Sequence, residues 1–249
     1  MSTNFVVIHE AQADFTTATE IADRILLEQI DWLENGLLAT QRCWIETEPL
    51  GSRLTWKSMK NLARKLRIQV RGHFDGEPGL PDAKAARRAI HVVRQLLDNV
   101  DAIVLIRDTD DQPDRRRGLE QARTEITSGF PIVIGTAICE RESWVISGFV
   151  PKNERETERL NSEIRLLGWN PCSRPQDLTA CKDDSAPKSP KRVLAALTAS
   201  DWDRQRECWT DTPLDTLRAN GERNGLKDYL DEVRGRLAPL IAGRDANPG

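Results

Sequence analysis

No stretch of this 249-residue chain is apolar for long enough to span a bilayer. The opening "MSTNFVVIHEAQADF" has neither the basic n-region nor the apolar core of a secretion signal. A cytoplasmic location with no membrane partner is therefore expected. Cysteine pairs of the CxxC kind are missing too. The five cysteines, Cys43, Cys139, Cys172, Cys181 and Cys208, are scattered and odd in number, which argues against a disulfide framework and predicts free thiols. The last three, taken with a histidine, have no zinc-finger spacing, and His9, His73 and His91 form no ligand pattern. A phosphate-binding GxxxxGK[ST] loop is absent, so any ATP hydrolysis has to come from another chain. Nor does one charge dominate: 36 basic against 39 acidic side chains leave a formal −3. Near-neutrality neither indicates nor excludes nucleic acid, because a local patch or a bound cation suffices.

What is present is an ordinary globular composition, long enough to bury a core without staples. "NFVVIHE" (4–10) reads as a strand. The stripe Ala18, Ile21, Ala22, Ile25, Leu26, Ile30 and Leu33 reads as the helix after it. A looser region follows, with a basic helix over 54–67 and a short strand at "IQVRG" (68–72). An amphipathic helix runs from Asp82 to about Asp98, started by Pro81 and Asp82. "AIVLI" (102–106) and "PIVIGTAI" (131–138) are continuously apolar, as strands covered on both faces must be, and polar "DRRRGLEQARTEITS" (114–128) lies between them as a helix. "RESWVISGF" (141–149) is a short helix with Trp144 in its core register.

This alternation predicts an α/β fold: a doubly wound, mostly parallel sheet flanked by helices over residues 1–150. Residues 151–249 read as a mainly helical extension. It holds a charged helix near 153–167, an irregular Pro/Ser/Asp segment over 170–191, short helices, a final amphipathic helix through Leu226 to Ile241, and a frayed "GRDANPG" end.

Acids stand at the carboxyl ends of three of the strands, where open parallel sheets bind ligands. Glu10 ends the first, with Asp14 one helical turn on; Asp108, Asp110 and Asp111 end "AIVLI"; Glu140 and Glu142 follow the last. Any one of these acids alone reads as a helix cap or solvated surface. As a set they form converging hard oxygen donors, a chemistry that suits Mg²⁺ or Mn²⁺.

"VVIHEAQAD" before a helix and "VLIRDTDD" after an intervening unit resemble the Toprim domain, and within it the small Toprim-like, OLD-nuclease-like proteins of bacterial defence and mobile-element loci. The resemblance covers about 1–150 and implies a Toprim-like sheet. In that family a Glu after the first strand and a DxD after the third hold divalent cations; Glu10, Asp108 and Asp110 match. Asp14 falls where OLD-like members often carry another acid. "CERESW" resembles the segment in which a Glu beside a Trp closes the site; Glu142 fits best and Glu140 is the alternative. Many Toprim domains have Gly directly after the first Glu, whereas this chain has Ala11, which requires ordinary dihedrals there.

The resemblance implies a metal-dependent nuclease acting on DNA or RNA as the effector of an anti-phage or mobile-element system, with an ATPase as a possible partner. Glu10, Asp108 and Asp110 would be catalytic, and Asp14 and Glu142 would complete the metal shell. For phosphate binding the residues offer Arg115, Arg116 and Arg117, Lys188 and Lys191, and the basic helix with Lys57, Lys60, Arg64, Lys65 and Arg67. The alternative for each is a solvated face or mobile loop. Two other classes compete. One is a Toprim-like scaffold without turnover, docking a partner through 151–249. The other is a phosphatase-like or receiver-like phosphoryl site built on the DxD.

Overall fold

The structure is a computed structural model, and it describes residues 2–49, 51–126 and 129–243. The chain divides into two units: Met1–Arg107, Asp114–Gly135 and Asp231–Gly249 form the first, Asp108–Pro113 and Thr136–Leu230 the second.

The elements of the first unit are β1 (Thr3–Ile8), α1 (Gln12–Gln29), α2 (Asn35–Gln41), β2 (Arg42–Ile45), α3 (Trp56–Lys65), β3 (His73–Phe74), β4 (Glu77–Pro78), α4 (Ala83–Leu96), β5 (Ala102–Asp108), α5 (Arg115–Glu125) and β6 (Ile132–Ala137), whose last two residues pass into the second unit. Four strands form one parallel sheet in the order β2-β1-β5-β6, which is the expected α/β architecture. The pairing is registered at Phe5↔Ala102 through Ile8↔Leu105 on one side of β1 and Thr3↔Arg42 through Val6↔Ile45 on the other.

Alternation along the strands assigns the layers. Val6 and Ile8, Ile103 and Leu105, and Ile132 and Ile134 share one core with Met59 and Leu62 of α3, Ala86, Ile90 and Val93 of α4, and Leu119 of α5. Phe5, Val7, Val104 and Val133, all within 1% of complete burial, turn to the opposite face. The buried stripe of α1, Ala18, Ile21, Ala22, Ile25 and Leu26, is absent from that cluster and belongs to this other side. Helices on both faces make the sheet doubly wound. Because β2 lies to one side of β1 and β5 to the other, the chain reverses direction across the sheet at the β1–β5 pair.

Local differences from the expected elements have physical causes. β2 was not expected, because an edge strand of four part-exposed residues has no apolar run to announce it. "IQVRG" is not a strand. Arg67 turns into the left-handed region at φ 56° and Ile68 N–H returns to Ala63 O at 2.8 Å, so the segment closes α3 without meeting a pairing partner. Directly after it, β3 and β4 form a minimal antiparallel hairpin. Ala11 is extended at φ −130°, so nothing at that turn requires glycine.

The second unit continues with α6 (Glu142–Ser147), α7 (Glu154–Leu167), a 3₁₀ turn at Pro175–Asp177, α8 (Pro190–Thr198), α9 (Trp202–Thr210), α10 (Leu214–Asn220) and the start of α11 (Leu226–Arg236), which passes back into the first unit after Leu230; α12 (Ala238–Ala242) belongs to that first unit. The single closing helix expected over 226–241 is interrupted at Leu237, ahead of Pro239, whose missing N–H cannot continue the ladder. The end beyond Gly243, and Thr127 and Ser128 of the helix expected to reach 128, lie outside the described residues.

α6 forms the middle of this unit, against the 3₁₀ turn, α8, α9 and α10. Trp144 is core, as its register predicts: its ring stacks on Tyr229 at 5.2 Å and its indole N–H donates to Asn224 O at 3.1 Å. No described helix is long and apolar enough to cross a membrane.

Candidate functional site

In the first unit the site residues follow from strand register. Ile8 pairs with Leu105, so two residues further along the parallel strands Glu10 faces Arg107. Arg107 Nη1 lies 2.7 Å from Glu10 Oε1, and its Nε donates to Asp82 Oδ2 at 2.8 Å. Asp82 also takes the Nε of buried Arg115 at 3.2 Å. It is the N-cap residue of α4, as its position predicts, but its carboxylate makes no cap bond and serves two guanidiniums instead. The ring of Trp56, whose indole N–H donates to Ile106 O at 2.7 Å, lies 5.4 Å from the Arg107 guanidinium.

Asp14 is buried in the first turn of α1, and its Oδ2 accepts the Ala11 N–H at 2.8 Å, the reciprocal half of a capping box. His9 is fully buried, with Nδ1 2.9 Å from Ala11 O and no partner at Nε2; burial is the main cause that holds its pKa below the usual value. Nearby acids Asp14 and Glu46 oppose that shift without reversing it.

In the second unit, "DTDD" is anchored to the segment after β6. Thr109 N–H donates to Ala137 O at 2.8 Å, Asp110 N–H to Cys139 O at 2.9 Å, and Cys139 N–H to the buried Thr109 Oγ1 at 2.9 Å. Asp110 adopts φ 48° and Cys139 φ 63°, left-handed conformations held by these bonds.

Cys139 and Cys181 are joined by a disulfide, which corrects the expectation of five free thiols. Their separation of 42 residues leaves no local signal, and only the fold brings them together. The bond ties the irregular 170–191 segment to the acidic loop. Cys181 Sγ lies 3.1 Å from Asp110 O, and Lys182 pairs with Asp111.

Of the two glutamates after β6, Glu142 has Arg141 Nη2 at 3.0 Å from its Oε1. Glu140 is the more deeply buried at 4% exposure. One of its oxygens is 2.6 Å from Lys191 Nζ, and the other has no hydrogen-bond partner. Burial pushes the Glu140 carboxyl above its usual range, an effect the Lys191 ammonium opposes. The signal for Glu140 in the sequence was its place directly after the strand segment, weaker than that of a Glu beside a Trp.

Of the cations expected to meet phosphate, those after the acidic run and in the 170–191 segment are engaged internally. Arg115 is with Asp82, Arg116 is 3.0 Å from Glu120, Arg117 is 3.0 Å from Asp114, and Lys191 is on Glu140. Lys188 lies 5.2 Å above the Trp169 ring.

The donors at the strand ends are all carboxylates, the set a hard divalent cation takes, and the partnerless buried oxygen of Glu140 fits such a ligand. Among the described residues no three His, Cys, Asp or Glu side chains are gathered as one ligand group. No family model matches the chain, and comparison with curated proteins and with solved structures returns no match.

Proposed function

We propose that the chain is a divalent-metal-dependent nuclease that hydrolyses phosphodiester bonds. The observation that carries this reading is the β1–β5 pair. Two adjacent parallel strands end at the point where the sheet reverses direction, β1 two residues before Glu10 and β5 at Asp108, which opens the run Asp108-Thr-Asp110-Asp111. A sheet with that order offers its ligand crevice at the reversal.

In this reading Glu10, Asp108 and Asp110 hold Mg²⁺ or Mn²⁺, with Asp14 and a glutamate after β6 completing the shell. Glu140, with its partnerless oxygen, is the more available donor of the two, because Arg141 already meets the charge of Glu142. Bound between such carboxylates, paired cations supply an activated water and stabilise charge on the attacking and leaving oxygens. The protein's own contribution is positional: Arg107 orients Glu10 and Asp82 from the neighbouring strand, and Thr109 and Cys139 fix the backbone that carries Asp110. The resemblance to Toprim-like defence proteins extends the proposal to an effector in a cytoplasmic anti-phage system, with an ATPase supplied by another chain.

The test is Mn²⁺- or Mg²⁺-dependent cleavage of plasmid DNA and of RNA by the purified protein. Glu10→Gln and Asp108→Asn should each lower the rate at least 100-fold, about 3 kcal/mol of barrier, in protein that remains folded by circular dichroism; Glu10→Gln also loses its charge pair with Arg107 and should unfold at a somewhat lower temperature. Full activity in either variant rules the assignment out. A second reading, a scaffold without turnover, is favoured by one observation: the Arg107 guanidinium already meets the Glu10 carboxylate. Stabilisation by Mn²⁺ with no cleavage of either nucleic acid would select it.

A further inference from the structure

Between Glu48 and Asp75 the chain has seven Lys and Arg residues and no Asp or Glu, and from Ala83 to Leu97 it adds four more with no acid. The fold turns this bias outward. In α3 the buried positions are Met59, Leu62 and Ala63, while Lys57, Lys60, Arg64 and Lys65 are exposed. In α4, Lys84 is exposed on the side away from Ala86, Ile90 and Val93, and Arg94 is exposed one turn beyond Ile90, at the margin of that stripe. The two helices pack against each other, and the chain between them adds exposed Arg67 and Arg71. Ion pairs absorb every one of the five cations named first for phosphate binding except Lys188, but none forms at these exposed α3–α4 residues among the described residues.

The same face holds a cleft of about 470 Å³, between the 69–71 segment and α4, with Arg71, His91 and Arg94 in its lining. Its floor is built. Arg87 is buried there, donates to Arg71 O at 2.6 Å and His73 O at 2.9 Å, covers the Phe74 ring at 3.6 Å and pairs with Glu125. Glu125 also lines the cleft, where Arg87 takes its charge; beyond burial, the Arg94 and Arg87 guanidiniums help to hold His91 below its usual pKa.

We propose that the outer face of α3 and α4, with the cleft beside Arg71 and Arg94, binds the phosphate backbone of double-stranded DNA. The inference takes its occupant from the nuclease reading and deepens it, but it stands on different residues. Helices of 10 and 14 residues are about 15 and 21 Å long, and 20 Å of duplex carries roughly twelve negative charges, so a row of cations on this face meets several phosphates at once.

The chemistry of the face selects among polyanions. A membrane-binding helix needs apolar side chains to insert, and the exposed large hydrophobic residues, Leu37, Ile138, Val150, Leu166 and Trp202, all lie elsewhere in the chain. Single strands are bound by stacking bases on exposed aromatic rings. Here Phe74 is buried and Trp56 is half-buried with its indole N–H bonded to Ile106 O. What remains are exposed cations, which read phosphate without reading sequence.

The probe is a fluorescein-labelled 20-base-pair duplex, its anisotropy followed in EDTA from 50 to 200 mM salt. Binding is expected with a slope of log K against log salt of about −4 to −5, as roughly five neutralised phosphates give. Lys60→Glu with Arg64→Glu, and separately Arg71→Glu with Arg94→Glu, should each weaken binding at least tenfold and flatten the slope. None of these side chains is in an ion pair among the described residues, so thermal midpoints should stay in place. Unchanged affinity in both double variants overturns the proposal. So does tighter binding of single-stranded DNA, of RNA or of phosphatidylserine vesicles. Cleavage assays separate the two readings: duplex binding without metal-dependent cleavage in the parent protein sinks the nuclease alone, whereas cleavage that survives both charge reversals at 150 mM salt sinks this face alone.

Discussion

Arg107 holds Glu10 across the β1–β5 pair, with 2.7 Å between Nη1 and Oε1, while its Nε holds Asp82 at 2.8 Å. One guanidinium thus occupies two carboxylates at the reversal point of the sheet, and it stands one residue before the acidic run. A cation binding Glu10 would have to share it with that group. Arg107→Gln removes the charge and keeps much of the stem. Charged hydrogen bonds of this kind contribute about 1.5–3 kcal/mol, and Arg115 still meets Asp82, so a loss at the lower end is expected in urea unfolding. The same variant should bind Mn²⁺ more tightly than the parent protein, read as a larger thermal shift at equal metal. An equal or smaller shift would show that Glu10 and metal do not compete through Arg107.

The cysteines predict a three-step thiol count. Cys43 is exposed on β2, whereas burial pushes the Cys172 and Cys208 thiols up to about 12 and keeps them protonated. A native, unreduced sample should therefore expose one thiol to a chromogenic disulfide reagent. Three should react after denaturation and five after denaturation with a dithiol reductant. Five without reductant would mean that Cys139 and Cys181 are not bonded in the purified protein. Protein alkylated during lysis reports the state of this bond in the cell.

Glu156 and Arg204 form a bidentate pair at 2.8 and 2.9 Å, both nearly buried, and Arg204 also reaches Val150 O at 2.7 Å. The Arg204 hydrogen bonds hold the Glu156 carboxyl below its ordinary 4.5. A folded pKa below the unfolded one gives stability that is complete above about pH 4.5 and lost as pH falls through the folded value. Glu156→Gln leaves the nearly buried guanidinium with only Glu207, 3.7 Å away, as counter-charge and should cost about 3 kcal/mol at pH 7. The gap between variant and parent should narrow steadily below pH 4.5 in denaturant titrations. A gap that stays constant to pH 3 contradicts the assignment.

Gly148 ends α6 where α9 crosses it, and a Cβ there would sit 1.9 Å from Cys208 O. Backbone cannot yield as a side-chain tip does. Gly148→Ala should destabilise the protein by about 1–3 kcal/mol or more, the usual cost of overpacking. Gly235→Ala on α11 has nothing within 4 Å and should be neutral or slightly stabilising, which makes it the matched control.

How much of this could be read in advance differs from element to element. β1, β5 and β6 announced themselves as apolar runs because both their faces are covered, and α1 and α4 did so through their stripes. β2 and the β3–β4 hairpin did not, since a part-exposed edge and two-residue strands need no apolar run. Glu10, Asp108 and Asp110 were legible as acids after buried strands. Arg107 was not, because nothing in "LIRDTDD" says that its side chain reaches across to another strand.

The sequence by itself determined the strand-helix alternation, the burial of the central strands and the location of the acids at their ends, because periodicity and charge are local properties of the chain. Only the tertiary structure decided which cations are already taken, which carboxylate oxygen lacks a partner, and that Cys139 meets Cys181. Those outcomes depend on side chains tens of residues apart arriving at one place, and no window of sequence carries that distance.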